Sequence, residues 1–352
     1  MVQPITAKMP QLPDFANGTI NLASARHGAK GIYVTDEFFA PLERLLKDEP
    51  PVFLPAEYDE NGKWMDGWES RRKRVPGHDW AIIQLARPGR VLGFDVDTTF
   101  FTGNYPPECS IEAAFCEGEP DDETHWTEII ARTSLAGDSH HFIENADSAL
   151  RQKVWTHLKL HIYPDGGIAR LRVYGAAHFD WDAVGADEEV DLAFLFHGGR
   201  ALAWSDAHYG SPERLLSPGR GINMGDGWET ARRRGPGHDW TIIKLGHAGI
   251  VERIVVDTAY FKGNYPETCQ IRAAYLPNRM GPFGTDEIEA SKEWKVLLPH
   301  QKLTMDHIHE FASHLDQDFG PVTHIRLEIH PDGGVSRLRL FGKVFRGKVF
   351  RG

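Results

Sequence analysis

The chain has 352 residues, with 39 Lys or Arg against 50 Asp or Glu and a formal charge of −11. That length normally makes two domains, each large enough to bury a core, and the acidic balance argues against nucleic acid or an anionic membrane as partner. No apolar run is long enough to span a bilayer, no secretory h-region opens the chain, and Cys109, Cys116 and Cys269 form no CxxC, which points to a soluble, reducing, cytoplasmic setting.

In chain order, Met1 to Pro13 reads as a loose arm and Phe38 to Lys47 as a short helix. Trp80 to Leu85, Val91 to Asp97 and Ile111 to Phe115 are short apolar runs bounded by Gly, Pro or Asp, the signature of many short strands. His157 to Tyr163 alternates, with Leu158, Leu160 and Ile162 on one side and His157, Lys159, His161 and Tyr163 on the other. Pro164-Asp165-Gly166-Gly167 then supplies a turn in which glycine allows positive φ. Arg170 and Arg172 share one face of the return strand because strand side chains repeat every two residues. Residues 180–191 are acidic and read as a linker. Further on, Pro277 to Ser291 reads as a loop and Met305 to Leu315 as a second short helix. The end repeats itself, Lys343 to Arg346 recurring as Lys348 to Arg351, and reads as an extension without function.

These elements occur twice. Asp66-Gly67-Trp68-Glu69 and Pro76-Gly77-His78-Asp79-Trp80 return 160 positions later as Asp226-Gly227-Trp228-Glu229 and Pro236-Gly237-His238-Asp239-Trp240. Residues 66–85 are identical to their counterparts at 14 of 20 positions. Gly103-Asn104-Tyr105-Pro106 matches Gly263-Asn264-Tyr265-Pro266. The Pro164 turn with Arg170 and Arg172 matches Pro331-Asp332-Gly333-Gly334 with Arg337 and Arg339, now 167 positions on. The second copy therefore carries seven extra residues, and the first has the longer loop near Glu57 to Lys63. An internal repeat of this period sets the architecture: two all-β domains at 15–178 and 190–345.

Three groups of residues are candidates for chemistry. The pairs Arg170/Arg172 and Arg337/Arg339 suit a carboxylate or ureido oxygen held in bidentate fashion, or else a solvated sheet face. In the Pro-Gly-His-Asp-Trp loop, His78 and His238 offer imidazoles, the side chain suited to proton transfer near neutral pH, and Asp79 and Asp239 are placed to orient them. Glu69, Arg72 and Arg74 enrich the same loop, which otherwise reads as a structural turn. Asn104 and Tyr105 offer amide and phenol groups, or a turn with Gly103 at positive φ. The pairs His140-His141 and His307/His309 lack the spacing of a zinc site, and no P-loop, GxSxG or dinucleotide fingerprint occurs. No metal or cofactor is assigned, and a divalent metal stays open.

Together these motifs resemble the allantoicase family over nearly the whole chain, both repeats included. The resemblance rests on Asn21-Leu22-Ala23-Ser24, Asp36-Glu37-Phe38-Phe39-Ala40, the Asp66 and Pro76 motifs, Phe101 to Pro106, and the Pro164 turn with Arg170 and Arg172. It implies a tandem pair of jelly-roll, galactose-binding-like β-sandwiches, a homo-oligomer, and hydrolysis of allantoate to ureidoglycolate and urea. Allantoate carries a carboxylate and two ureido groups on one carbon. Arginines are then expected to bind the anion, and acidic and amide groups the ureas, with His78 or His238 moving protons. The rival from another class is a non-catalytic carbohydrate-binding double jelly roll, with some of the 10 Trp as stacking platforms.

Overall fold

The computed structural model describes residues 3–347 apart from 17, 280 and 317; the second Lys-Val-Phe-Arg of the tail lies outside them. The chain divides into two compact units, Met1–His178 and Phe179–Gly352. Each is a β-sandwich built around one strand of 19 residues, Asp79–Asp97 in the first and Asp239–Asp257 in the second. Two runs read as separate strands are thus one. Its first half pairs with Trp155–Tyr163 and Lys30–Val34, and its second half with Arg170–Ala177 and His140–Glu144. The strand therefore changes sheets partway along, which is how a sandwich makes a corner. The bend occurs at Gly89, where a Cβ would lie 2.7 Å from Leu22 and 2.8 Å from the Ala176 carbonyl. Gly249 occupies the same place in the second unit, against Leu192 at 2.4 Å.

The period-two pattern of His157 to Tyr163 is realised: Leu158, Leu160 and Ile162 are wholly buried. They lie opposite Ala113, Ile111 and Cys109 on the neighbouring strand Glu108–Ala114. The opposite face of these strands is polar, and His157 and His161 on it are nevertheless covered.

Several local expectations are corrected. Phe38 to Lys47 holds only a 3-10 turn, Leu42–Leu46, because Pro41 and the short apolar spacing leave no room for a full helix. Met305 to Leu315 contains a strand, Ile308–Phe311, since pairing with Ile254 to Asp257 supplies hydrogen bonds that a free helix would lack. The expected loop Pro277 to Ser291 contains a short α-helix, Thr285–Ser291, with Glu287 returning to the Gly284 amide. The N-terminal arm is anchored by Ile5–Thr6 pairing with Val52–Phe53. The acidic segment ends in Val190–Asp191, a strand paired with Phe341 and Gly342.

The repeated arginines are also not surface cations. Arg170 is wholly buried, donating to the Asp66 carboxylate at 2.6 Å and to the carbonyls of Asp66, Glu49 and Arg44. Arg337 meets Asp226 at 2.7 Å in the same way. Arg172 is held by Asp95 at 3.0 Å and Asp97 at 3.3 Å, and Arg339 by the carbonyls of Leu215, Ser217 and Gly219. With their donors committed inside the fold, these four guanidiniums stabilise it and do not face a ligand. Replacing Arg170 by Ala leaves Asp66 with only Lys47 and the Val52 amide as partners and is expected to cost about 3 kcal/mol, the low end for a broken buried pair. Arg72→Ala, at an exposed position, should stay within about 0.5 kcal/mol of the parent. Urea unfolding midpoints of the two variants check the contrast.

Candidate active site

The recurring motifs converge on the Pro164–Gly167 turn. Gly166 sits at φ 140°, and a Cβ there would lie 2.6 Å from the Pro106 nitrogen, so the Asn104 loop packs directly on glycine backbone. The Gly167 amide donates to the Asn104 carbonyl at 2.7 Å, Ser70 N to the Gly166 carbonyl, Asp79 N to the Pro164 carbonyl, and Lys73 N to the Asp165 carboxylate at 2.8 Å. The left-handed backbone expected at Gly103 falls instead on Phe100, at φ 69°. Each residue of the Asp66 motif has its own task. Asp66 holds Arg170, Gly67 lies too close to Ile168 O for any side chain, and Trp68 is buried with its indole N–H on the Asp36 carbonyl at 2.9 Å. Glu69 alone turns toward a cavity.

That cavity, of about 500 Å³, has Glu69 and Asn104 joined at 2.7 Å across its floor. Phe39, Phe53 and Phe100 wall it, and Lys63, Thr102 and Asp138 complete the lining. Phe53 and Lys63 belong to the loop that is longer in the first repeat. Lys63 uses two of its three donors on the Leu54 and Glu57 carbonyls, at 2.6 and 3.1 Å. Burial raises the Glu69 pKa, against the lowering effect of the Asn104 hydrogen bond.

His78 lies on the far side of the same turn, and the expected His–Asp pair does not form. Asp79 is buried beneath, bound by Thr35 at 2.8 Å and Lys73 at 2.5 Å. His78 instead meets His161 at 2.9 Å, and His161 meets Glu112 at 2.8 Å, a chain of two imidazoles ending on a carboxylate. Tyr163 packs on His78 at 4.5 Å between ring centres, with the Arg132 guanidinium over the phenol. Burial lowers both histidine pKa values, the neighbouring imidazole and Lys73 adding to the effect at His78 and Glu112 opposing it at His161. Sequence reading had noted His161 but not Glu112 as its partner, because cross-strand register is needed to see that they adjoin. Tyr105 packs into the cluster of Met65, Phe101 and Ala169. Arg72 and Arg74 are exposed on the loop.

The second repeat keeps the scaffold and changes the chemistry. Glu229 and Asn264 pair as before. His238, however, faces Glu328 at 3.5 Å, and Glu328 is bound by Arg326 at 2.8 Å and approached by Arg272 at 3.4 Å. A cavity of about 690 Å³ lies at Arg232, Arg233, Asn264, Tyr265, Lys302 and Asp332. Among the described residues two groups offer metal-ligand atoms within 4.8 Å of one another, His238/Glu328/His330 and Asp95/Asp97/His140. In the first, Arg326 already balances the one carboxylate; in the second, Arg172 is shared between two carboxylates, Asp95 and Asp97, beside His140. The balanced charge of the first group does not suit a further cation.

Against known proteins, the allantoicase repeat family matches residues 20–178 and 190–345. The chain belongs to the allantoicase family. It is 55% identical to a probable allantoicase of Rhizobium meliloti (strain 1021), over 95% of this chain and 96% of that one. It is 56% identical to a probable allantoicase of Stutzerimonas stutzeri (strain A1501), over 93% and 97%. The crystal structure of allantoicase from Saccharomyces cerevisiae superposes with a TM-score of 0.74 at 35% identity, covering 93% of each chain. The tandem β-sandwich fold expected from the sequence is thereby matched in a solved relative. No helix among the described residues is long and apolar enough to cross a membrane.

Glu328 makes the second-repeat network pH-sensitive. Burial alone would raise its pKa; the His238 imidazole 3.5 Å away and the hydrogen bond from Arg326 override this and hold it at about 2, against 4.5 when unperturbed. A carboxyl depressed on folding stabilises the fold above its unfolded pKa and loses that contribution as pH falls toward the folded value. Glu328→Gln should therefore be less stable than the parent at pH 7. The difference should shrink between pH about 4.5 and about 2, as read from urea unfolding at stepped pH.

Proposed function

We propose that this chain carries out the allantoicase reaction, hydrolysis of allantoate to ureidoglycolate and urea, in the Glu69–Asn104 cavity of its first repeat. The supporting observation is a buried carboxyl of raised pKa, fixed by an amide, at the floor of a small cavity walled by aromatic rings. Burial favours the protonated form of this carboxyl, the form that can donate a proton to a leaving group. Asn104 and the oxygens of Glu69 match the hydrogen-bonding edges of a planar ureido group, and Lys63 supplies positive charge for the substrate carboxylate. In this reading the C–N bond at the central carbon breaks and its electron pair leaves with the urea nitrogen, which takes the Glu69 proton. Water adds to the carbon, leaving a hydroxyl, and its proton returns to Glu69.

A second reading places proton transfer at His78. It is favoured by the His78–His161–Glu112 chain, which has no counterpart at His238. General acid–base assistance is worth about 10²–10⁴-fold, so Glu69→Gln should lower kcat by that factor and remove the alkaline fall in kcat/KM, while Glu229→Gln stays near the parent. Urea released from allantoate is the readout. Loss in His78→Ala with activity kept in Glu69→Gln would transfer the reaction to the histidines; no urea from the parent chain would reject both.

A homo-oligomer in the cytoplasm completes the proposal. Cys109, Cys116 and Cys269 are free thiols, which suits a reducing compartment. Sedimentation equilibrium should return a mass above that of one chain, and a monomer would refute the assembly.

A further inference from the structure

Arg200, Lys244 and His324 stand directly opposite one another on three adjacent strands of the second repeat. Basic groups in such register repel unless something offsets them. Arg200 is offset: it donates to the Leu195 and Gly199 carbonyls at 3.0 and 2.6 Å, with Glu213 nearby. Lys244 is not. Its ammonium donates to the Leu245 carbonyl at 3.1 Å and has no carboxylate partner among the described residues. Burial, followed by the Arg200 charge, depresses its pKa.

His324 adds an independent signal. It is wholly buried, and its Nε2 has no hydrogen-bond partner among the described residues. The Thr323 hydroxyl accepts from Leu276 N at 2.7 Å and has one proton to give. Its contact with His324 Nδ1, at 2.9 Å, is shorter than that with the Ala274 carbonyl, at 3.3 Å. With Nδ1 on the Thr323 hydroxyl, Nε2 is left a buried polar atom without a partner among the described residues, a costly state. Both Lys244 and His324 line a cavity of about 510 Å³ whose walls include Tyr275 and Phe345. Arg279, Arg346 and Asp182 also border it; the Arg279 fork is engaged by Glu287, and Arg346 gives one nitrogen, Nη2, to the Trp181 and Val184 carbonyls. The first repeat has Gln84 where the second has Lys244, so the uncompensated charge belongs to the second repeat alone.

We propose that this cavity is a binding site for a small organic carboxylate, one oxygen on the Lys244 ammonium and the other on the His324 Nε2–H, with the organic body against Tyr275 and Phe345. Two unengaged donors match the two oxygens of a carboxylate. A phosphate has more oxygens to satisfy than these two donors, and the Arg279 fork is already taken by Glu287.

Isothermal titration of the full chain with phenylacetate, and separately with inorganic phosphate at matched ionic strength, tests the assignment. Phenylacetate should bind saturably and phosphate should not. Lys244→Gln, which places the first repeat's own residue in the same strand position, should weaken phenylacetate about tenfold or more. Lys244→Arg should restore much of the affinity, and Glu69→Gln should leave it unchanged, separating this site from the catalytic proposal. Absence of saturable phenylacetate binding overturns the inference, as does equal binding by Lys244→Gln, loss of binding in Glu69→Gln, or saturation by phosphate alone. A thermal melt of Lys244→Gln showing a folded chain excludes unfolding as the cause of lost binding.

Discussion

The buried ion pair between Asp66 and Arg170, repeated as Asp226 and Arg337, is the contact on which the candidate site depends. It joins the strand after the Pro164 turn to the segment that ends in Glu69. The Asp66 carboxylate also takes Lys47 Nζ at 2.8 Å and the Val52 amide at 3.0 Å, so one buried acid gathers three stretches of chain. Burial penalises that charge, and the cations and amide around it overcome the penalty and keep its pKa low. Two charges taken out of water are worth little net stability, but separating them is expensive. The pair thus acts as a register pin: with Arg170 seated, Gly67 must abut Ile168, Trp68 must enter the core, and Glu69 is delivered to the cavity floor.

On this common scaffold the two repeats differ where the polar sheet face can vary without disturbing the core. His161 corresponds to Glu328, Glu112 to Arg272, Lys159 to Arg326 and Tyr163 to His330. In the first repeat His161, backed by the Glu112 carboxylate, joins His78 in a chain of two imidazoles whose pKa values burial lowers, a group able to pass a proton. In the second they make a carboxylate clamped by guanidiniums, with its pKa held at about 2 and so ionised throughout the useful range. The backbone is shared and the proton chemistry is not.

Much of this was legible in the sequence. The repeat, the alternating strand at His157 to Tyr163 and the glycine turn at Gly166 all follow from local spacing, because strand period and positive φ act over a few residues. The side-chain partners did not follow. Arg170 and Arg172 share a strand face as read, yet that face is closed over by segments more than a hundred positions away, and solvent exposure cannot be inferred from alternation alone. His78 and Asp79 are adjacent in sequence but point to opposite sides of the strand entrance. The true neighbour of His78 is 83 positions distant. The single 19-residue strand was divided in two because Pro88 and Gly89 mark a corner, which in a sandwich bends a strand without ending it.

Identity between the repeats, then, is a guide to scaffold more than to catalysis. Asp66, Trp68 and Arg170 recur because each is saturated by partners that both sandwiches need. His141 and His309 recur likewise, each spanning a backbone carbonyl and a backbone amide, Val96 and Ala136 in one, Val256 and Thr304 in the other. Glu69 and Asn104 also recur, as Glu229 and Asn264, so the pair alone cannot distinguish a working site from a silent one. What differs is its surroundings. In the first repeat the longer loop brings Phe53 and Lys63 over the pair, whereas the second has Lys262 in place of Thr102 and Met224 3.9 Å from the Asn264 amide. An acid becomes a catalyst when its environment sets both its proton affinity and what can reach it, and in the first repeat that environment is supplied by a loop that lies outside every repeated motif.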